Sequence, residues 1–208
     1  VLFKTDHSLI DQSLQSSDPS ATTNGDGFGI GWYGKRDVPG VYKDIRPAWN
    51  DTNLQALAAQ IESSVFLAHV RATTGSPVQR TNCHPFNHQK WLFVHNGLIN
   101  EYEKLHRDLA FALSPDLFPL IRGTTDSELM TEAVYQLMAV REIGLVEALL
   151  ATLPRFEGAF SLAVMDRNTL VGVRDPHGFR PLCLGRIDDG WVIASETAAL
   201  DIIGAAFV

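Results

Sequence analysis

The hydrophobic positions in the first half of the chain form short apolar runs that predict β-strands. Two runs, at residues 28–34 and 41–45, are separated by a Pro-Gly pair that favours a turn. Two further runs, at 65–70 and 91–94, are almost continuously apolar. Strands with one solvated face alternate apolar and polar residues, so the lack of alternation predicts that these two strands are covered on both faces.

Helical periodicity marks the middle of the chain. Apolar residues at i, i+3, i+4 and i+7 follow Asp51 and Thr52, either of which can cap a helix. The same period recurs at 98–109, and further helices are predicted at 127–140 and 145–154. The last third of the chain returns to strand-like runs, at 160–165, 169–173, 182–187 and 191–194.

The order of the elements, strands then helices then strands, indicates a segregated α+β protein rather than an alternating βαβ one. Sheets that need cover on both sides, with helices between them in sequence, suggest sheets stacked between helical layers. The composition shifts little along the chain, which has no internal repeat. We therefore expect one domain over residues 1–208.

The composition is that of an ordinary soluble protein. Hydrophobic residues make up 45% and charged residues 20%, which excludes disordered and fibrous classes. The net charge of −7 gives no positive field for nucleic acid. The apolar runs are far shorter than the roughly 20 residues of a membrane span. Two cysteines and no secretory signal fit a reducing compartment. We expect a cytoplasmic protein with no nucleic-acid or membrane partner.

The polar cluster at residues 69–75 follows a predicted strand and contains Arg71. An arginine here is either half of a structural ion pair or the anchor of a ligand carboxylate. Its planar fork suits the second role, because it can donate two parallel hydrogen bonds to a carboxylate. Taken alone, the cluster favours the structural interpretation.

Asn96 and Gly97 follow the predicted strand at 91–94. Asn-Gly is the favoured two-residue hairpin turn, although the helical period after it weakens that interpretation. In the functional alternative, the Asn96 side-chain N–H and the Gly97 backbone N–H form a pair of donors facing one oxyanion. Glycine would let the backbone approach a substrate closely. The two alternatives are evenly balanced.

The segment from Thr125 to Glu128 opens a predicted helix and has the capping-box pattern Thr-x-x-Glu. Asp126 could instead receive the ammonium of an amino acid. One carboxylate and the Arg71 guanidinium are the minimal complement of a zwitterion. In isolation capping is the stronger interpretation, and both can hold.

The pair Cys83 and His84, with His88 beyond, suggests a metal site but lacks the spacing of one. Pro85 lies between the histidines and there is no second cysteine-rich arm, so we expect no metal. The pattern D-P-H-G at 175–178 is a β-turn signature. No phosphate-binding glycine loop and no G-x-S-x-G elbow occurs, so no cofactor is expected.

Five of these segments together resemble the class II glutamine amidotransferases in sequence and order. The segments are N-G-D-G-F-G at 24–29, H-V-R-A-T-T-G at 69–75, N-C-H-P-F at 82–86, H-N-G at 95–97 and T-D-S-E at 125–128. The fold that the resemblance implies is the N-terminal-nucleophile hydrolase fold, a four-layer αββα sandwich. This agrees with the segregated α+β order.

The resemblance also implies an activity: the domain binds glutamine and hydrolyses its side-chain amide to glutamate and ammonia. The ammonia would pass to an unidentified acceptor domain or subunit. The resemblance implies that Arg71 binds the α-carboxylate of glutamine, with Thr74 nearby, and that Asp126 binds the α-ammonium. It also implies that Asn96 and the Gly97 amide stabilise the tetrahedral oxyanion. His84 would shape the pocket.

The sequence departs from the family pattern at the nucleophile, which in this family is an N-terminal cysteine whose own amine is the base. This chain begins with Val1, and neither Cys83 nor Cys183 is near the terminus. We therefore expect that the domain lacks its first strand and, as given, its nucleophile. The apolar end at Phe207 and Val208 leaves open a C-terminal continuation.

The two halves of the chain resemble different branches of the family. Through Glu128 the likeness is to stand-alone glutamine amidotransferases. From about Glu147 it is to the glutaminase domain of amidophosphoribosyltransferase, although the chain has no phosphoribosyltransferase domain. The leading hypothesis is a glutaminase domain. The alternatives are a catalytically silent glutamine-binding or scaffolding domain, the glutaminase part of an amidophosphoribosyltransferase, and a different N-terminal-nucleophile amidohydrolase.

Overall fold

A computed structural model describes residues 8–14, 23–73, 75–188 and 190–208, which form helices and antiparallel strands in segregated blocks. The strands are β1 Phe28–Trp32, β2 Gly40–Asp44, β3 Phe66–Val70, β4 Phe86–His88, β5 Trp91–Ile99, β6 Gly158–Met165, β7 Leu170–Arg174, β8 Cys183–Ile187, β9 Gly190–Ala194 and β10 Ala206–Phe207. The helices are α1 Leu9–Leu14, α2 Thr52–Gln60, α3 Tyr102–Ala112, α4 Asp126–Arg141, α5 Leu145–Thr152 and α6 Ala198–Asp201.

The strands of the described ranges form three antiparallel sheets. The first sheet has the order β2-β1-β3, the second β4-β5-β6-β7 and the third β10-β8-β9. In the first sheet Gly29 lies opposite His69. In the second, the pairing of β5 with β6 extends from Leu92 to Ile99 and places Gly97 opposite Phe160.

The first and second sheets face each other across an apolar layer. Leu67 of β3 packs there with Leu92 of β5 and Met165 of β6. The face of β1 that points into this layer carries glycines, and a Cβ on Gly31 would lie 2.5 Å from Leu92 Cδ1. The two sheets approach closely because this face of β1 has almost no side chains.

Helices cover the outer face of each of these two sheets. On the first sheet, Phe28 and Ile30 pack against Leu54 of α2. That helix begins where the Asp51 side chain accepts the Leu54 N–H at 2.7 Å. On the second sheet, α3, α4 and α5 pack on a larger cluster around Phe93. The layers run helix, sheet, sheet, helix, which confirms the αββα sandwich.

One helix begins later than its periodicity predicts. Leu98 and Ile99 belong to β5, and α3 begins only at Tyr102. Pairing with β6 places Gly158 opposite Ile99, and Ile99 is buried with 2% exposure. Main-chain pairing and burial therefore outweigh the local helical period.

Two other elements differ in detail from the prediction. The strand at 65–70 is covered on both faces only in part: Leu67 packs toward the second sheet and Ala68 and Val70 pack with the Leu54 cluster, but Phe66 is 47% exposed. The helix predicted to reach Pro154 ends as an α-helix at Thr152, and a 3₁₀ turn carries the proline, which has no N–H for the helical pattern. Within the described ranges, no helix is long and apolar enough to cross a membrane.

Candidate active site

Asn96 and Gly97 lie inside β5 and not in a turn. The strand continues through both residues to Ile99 and stays paired with β6, where Ser161 lies opposite Asn96. The hairpin interpretation of this Asn-Gly pair is therefore wrong. The pair lies instead on a strand that is paired with β6, and both residues are partly buried.

The backbone N–H of Gly97 points to a free edge of β5. Its partner Phe160 directs its own N–H and C=O away from β5, to Asp175, at 3.3 and 2.8 Å. The two residues therefore form a non-hydrogen-bonded pair, in which the Gly97 amide faces the other side of the strand. On that side β4 pairs with β5 only as far as Phe93. No residue of the described part of the chain pairs with the Gly97 N–H, which is therefore available to a ligand.

Only glycine fits at position 97. Its φ of 141° lies in a region that side chains rarely adopt. A Cβ at this position would lie 2.0 Å from the carbonyl oxygen of Ala159 on β6. The close approach of β5 and β6 and the position of the exposed amide therefore both depend on the missing side chain.

The Asn96 side chain lies on the opposite face of β5 from that of His95, because successive residues alternate. This is the face on which Leu92 packs toward the first sheet. Asn96 is partly buried, and its amide makes no hydrogen bond with any described residue. It therefore provides a side-chain donor next to the open Gly97 N–H.

Asp126 is the first residue of α4 and is fixed to the same edge of β5. Its Oδ2 accepts the Ile99 N–H at 3.0 Å, and its Oδ1 accepts the Ser127 N–H at 2.9 Å. Its side chain is 15% exposed. A carboxylate at a helix N-terminus is favoured by the helix dipole. The Ser127 hydroxyl also lies 3.3 Å from Oδ1, so the lone pair left for a further donor is on Oδ2.

The capping box is only half formed. The Thr125 side chain accepts the Glu128 N–H at 3.4 Å, as predicted. The Glu128 carboxylate does not return to Thr125 but accepts the N–H groups of Arg122 and Gly123. Burial raises its pKa, whereas these two hydrogen bonds lower it. Glu128 thus holds the loop that leads into α4. The capping-box pattern does not predict this role of Glu128.

Arg71 is a buried cation with neutral protein partners. It is 4% exposed, and its guanidinium donates to the Asp26 carbonyl at 3.3 Å, the Ser76 hydroxyl at 2.7 Å and the Pro77 carbonyl at 3.5 Å. These bonds use three of its five N–H groups. No carboxylate of the described residues lies within ion-pair distance. Among the described residues, the structural ion-pair interpretation finds no partner for Arg71.

Asn82 connects the Arg71 loop to the start of α4. Its amide donates to the Pro77 carbonyl, which also accepts from Arg71, at 3.0 Å, and to the Thr124 hydroxyl at 3.1 Å. Its oxygen accepts the Thr124 N–H at 2.9 Å. The polar network of Arg71 thus reaches Thr124, two residues before Asp126 in the chain. Sequence analysis gave Asn82 no role, and its place beside Cys83 in the N-C-H-P-F segment was the only signal.

His84 is buried and electrically neutral. Its ring lies 4.4 Å from that of His69 and 4.7 Å from that of Phe86, measured between centroids. Burial holds the pKa of His84 well below its ordinary value, with the charge of His69 acting in the same direction. Neither ring nitrogen has a partner among the described residues. A neutral ring in this position can shape a cavity but is a poor proton carrier.

The remaining predicted positions add little to the site. Thr74 lies outside the described residues. The Cys83 thiol contacts the carbonyls of Asp44 and Gln79, and burial raises its pKa. Among the residues described here, no group of three or more His, Cys, Asp or Glu side chains could hold a metal ion.

The turn predicted at 175–178 is confirmed. The Gly178 N–H donates to the Asp175 carbonyl at 3.0 Å.

Comparison with known proteins identifies relatives of both kinds implied by the sequence. Residues 3–161 match the family model of class II glutamine amidotransferases. The probable glutamine amidotransferase DUG3 of Saccharomyces cerevisiae is 39% identical over 136 residues, which are 62% of this chain and 38% of that protein. The amidophosphoribosyltransferase of Mycobacterium leprae is 39% identical over 174 residues, or 81% of this chain and 31% of that protein. The chain thus spans about a third of their length.

Solved structures share the fold. A glutamine phosphoribosylpyrophosphate amidotransferase from B. subtilis, complexed with ADP and GMP, superposes with a TM-score of 0.75 at 23% identity, over 96% of this chain and 40% of that one. A glutamine aminotransferase class-II domain protein from Silicibacter pomeroyi superposes with a TM-score of 0.64 at 32% identity, over 81% of this chain and 79% of that one. With the family model covering most of its length, this chain belongs to the class II glutamine amidotransferases.

Proposed function

We propose that this chain is a glutaminase domain that binds L-glutamine as a zwitterion and releases ammonia from its side-chain amide. The observation that carries the proposal is the buried Arg71 guanidinium, which no described carboxylate neutralises. A buried charge without a counter-ion is costly. The α-carboxylate of glutamine would supply the missing charge and accept a charge-assisted hydrogen bond from an N–H group of Arg71 that remains free.

The arrangement of the other polar groups supports the same ligand. Asp126 would take the α-ammonium on the Oδ2 lone pair that the Ile99 N–H leaves open. The N–H groups of Ile99 and Gly97 face the same edge of β5, two residues and about 7 Å apart. That separation is comparable to the length of a glutamine molecule. The amide carbonyl of the ligand would then reach the Gly97 N–H.

At that point Asn96 and Gly97 would form the oxyanion hole. When a nucleophile adds to the amide carbon, the carbonyl oxygen gains a full negative charge. Two donors fixed on a paired strand need no reorganisation to stabilise that charge, which is why such groups lower the barrier. His84, neutral and buried, would shape the cavity, with Thr74 next to the carboxylate site.

The nucleophile that the family resemblance implies is an N-terminal cysteine of the full-length protein. Its α-amine would take the thiol proton as sulfur bonds to the amide carbon. The C–N bond then breaks, the proton passes to the nitrogen, and ammonia leaves a thioester. Water would hydrolyse the thioester to glutamate and regenerate the thiol. The family resemblance also underlies our proposal of a single domain over residues 1–208.

The acceptor of the ammonia would be another domain or subunit. Amidophosphoribosyltransferases are among the relatives, and this chain matches 31% of the length of one of them. We therefore keep the glutaminase part of such an enzyme as the second candidate. A cytoplasmic location is part of the proposal, supported by two buried free cysteines.

The test of this proposal is ammonia release by the full-length gene product, with L-glutamine and L-asparagine as substrates. We expect release from glutamine alone, abolished when the N-terminal cysteine is changed to alanine. Glutamine binding without ammonia release would favour the silent glutamine-binding domain. No binding of glutamine, with hydrolysis of another amide, would favour a different N-terminal-nucleophile amidohydrolase and overturn the proposal.

A further inference from the structure

His95 is a buried side chain that the proposed reaction leaves without a role. It lies in β5 next to Asn96 but on the opposite face of the strand, so its ring points toward α4 and away from the oxyanion hole. It is 3% exposed, and its ring meets Phe160 edge-on at 6.4 Å between centroids. A polar ring is expensive to bury at this position unless its hydrogen bonds are used.

One ring nitrogen of His95 is linked to Asp126 through Ser127. The His95 Nδ1 lies 2.8 Å from the Ser127 hydroxyl oxygen, and that oxygen lies 3.3 Å from Asp126 Oδ1. The direct distance from His95 Nδ1 to Asp126 Oδ1 is 3.8 Å, too long for a hydrogen bond. The hydroxyl therefore stands between the ring and the carboxylate.

The direction of the hydrogen bonds follows from the donors available. A hydroxyl has one proton, and a carboxylate acceptor makes the stronger bond. The Ser127 O–H thus donates to Asp126, and the His95 Nδ1–H donates to the Ser127 oxygen. The other ring nitrogen, Nε2, has no partner among the described residues and is then left with a lone pair rather than a buried N–H. Buried orphan N–H groups are the rarer case.

The ring is uncharged, as this arrangement requires. Burial lowers the pKa of His95, and the charge of Arg180 acts in the same direction, whereas Asp126 raises it. A neutral ring with its proton on Nδ1 can orient the hydroxyl without neutralising the carboxylate. The full negative charge of Asp126 is then kept for the ligand.

We propose that His95 is a positioning residue that acts through Ser127 to hold the Asp126 carboxylate in the orientation that binds the α-ammonium of the substrate. The inference rests on the proposed function, because it assigns Asp126 to the ammonium. Three fixed donors on Asp126, from Ile99, the Ser127 backbone and the Ser127 hydroxyl, leave one direction for a fourth. His95 thereby contributes to selectivity for ligands with an α-amino group.

The test compares the binding of L-glutamate with that of glutarate, which lacks only the α-amino group. NMR titration of the full-length protein gives both dissociation constants. The dissociation constant of glutarate divided by that of L-glutamate measures recognition of the ammonium. We expect Ser127→Ala to lower this ratio by about tenfold, with little change for glutarate, because it removes a hydrogen bond to the charged Asp126 carboxylate. His95→Phe should lower the ratio similarly, because the Ser127 hydroxyl then loses the donor that orients it. His95→Asn should keep the ratio, since its amide can place an N–H where Nδ1 lies.

The matched control is His88→Phe. His88 is also a buried histidine on the second sheet, with its Nδ1 3.1 Å from Glu132, but it has no link to Asp126. It should leave the ratio unchanged. If Asp126→Asn lowers the ratio while Ser127→Ala and His95→Phe do not, the positioning role is wrong and the proposed function stands. If Asp126→Asn leaves the ratio unchanged, the ammonium site is wrong and both proposals fall.

Discussion

The Asp126 carboxylate accepts the backbone N–H of Ile99 at 3.0 Å, which fixes the first residue of α4 to the edge of β5. The same edge of β5 carries the open N–H of Gly97 two residues earlier. The group proposed to bind the substrate's ammonium and the group proposed to bind its oxyanion are therefore set by one strand. Their separation is fixed by backbone geometry rather than by flexible side chains.

Replacement of Gly97 by alanine should destabilise the protein. The added Cβ would lie 2.0 Å from the Ala159 carbonyl, on a backbone with φ of 141°, so β5 and β6 must move apart. We expect the free energy of unfolding to fall by about 3 kcal/mol or more in urea titrations. Gly144→Ala is the control, because a Cβ there meets nothing within 4 Å. Equal stability of the two variants would refute the close approach.

Replacement of Asn96 by alanine should impair catalysis without affecting the fold. The side chain makes no hydrogen bond with any described residue, so its loss leaves no protein group unpaired. In the full-length enzyme we expect kcat to fall by about 10²–10³-fold and the melting temperature to change little. Asn87→Ala, on the exposed face of β4, should change neither. An unchanged kcat in the Asn96 variant would remove it from the oxyanion hole.

Replacement of Arg71 by lysine should weaken glutamine binding although the charge is kept. An ammonium has three N–H groups, which would all be needed to replace the bonds to Asp26, Ser76 and Pro77, so none would remain for the ligand carboxylate. We expect the dissociation constant for L-glutamate to rise at least about tenfold in NMR titrations. Arg107→Lys, an exposed arginine paired with Asp108, is the control. A dissociation constant equal to that of the control would exclude Arg71 as the carboxylate anchor.

Buried histidines should make the protein less stable in mild acid. Burial lowers the pKa of His69 to about 4, with His95 and Arg71 adding to the effect, whereas an unfolded histidine titrates near about 6.5. The unfolded chain therefore binds the proton first as the pH falls. The contribution of His69 to the free energy of unfolding is fully present above about pH 6.5. About 2 kcal/mol of it should be lost by about pH 5.

This pH dependence is checked with a pair of histidine variants. His69→Leu should flatten the loss of stability between about pH 6.5 and pH 5 in urea titrations. His106→Leu, which removes an exposed histidine of α3, should keep the wild-type slope. If both variants keep that slope, His69 is not the group responsible.

The sequence predicts the layers of this fold better than it predicts the ends of the elements. Segregated strands and helices predict sheets stacked between helical layers, the family resemblance implies the αββα order, and that order is confirmed. The start of α3 was misplaced because pairing across to Gly158 is not visible in local periodicity. For the same reason, the sequence alone does not decide between a hairpin turn and a donor pair at Asn96 and Gly97. Local pattern does not show which strand lies alongside.

The site was predictable as a set of residue types but not as a network. The Arg71 and Asp126 charges suggest an amino acid ligand from their chemistry alone. Only coordinates show that no carboxylate of the described ranges pairs with Arg71, because an ion-pair partner can lie anywhere in the chain. The Ile99 N–H that fixes Asp126 leaves no trace in the sequence, since every residue except proline has one. Nor does the sequence indicate that Asn82 is buried between two loops and bonds to both.

The most direct measurement is a crystal structure of this protein with L-glutamate bound. The account predicts the α-carboxylate on the Arg71 guanidinium, the α-ammonium on the Asp126 carboxylate and the γ-carboxylate within hydrogen-bond distance of the Asn96 amide and the Gly97 N–H. A ligand bound elsewhere, or bound with its ammonium away from Asp126, would contradict it.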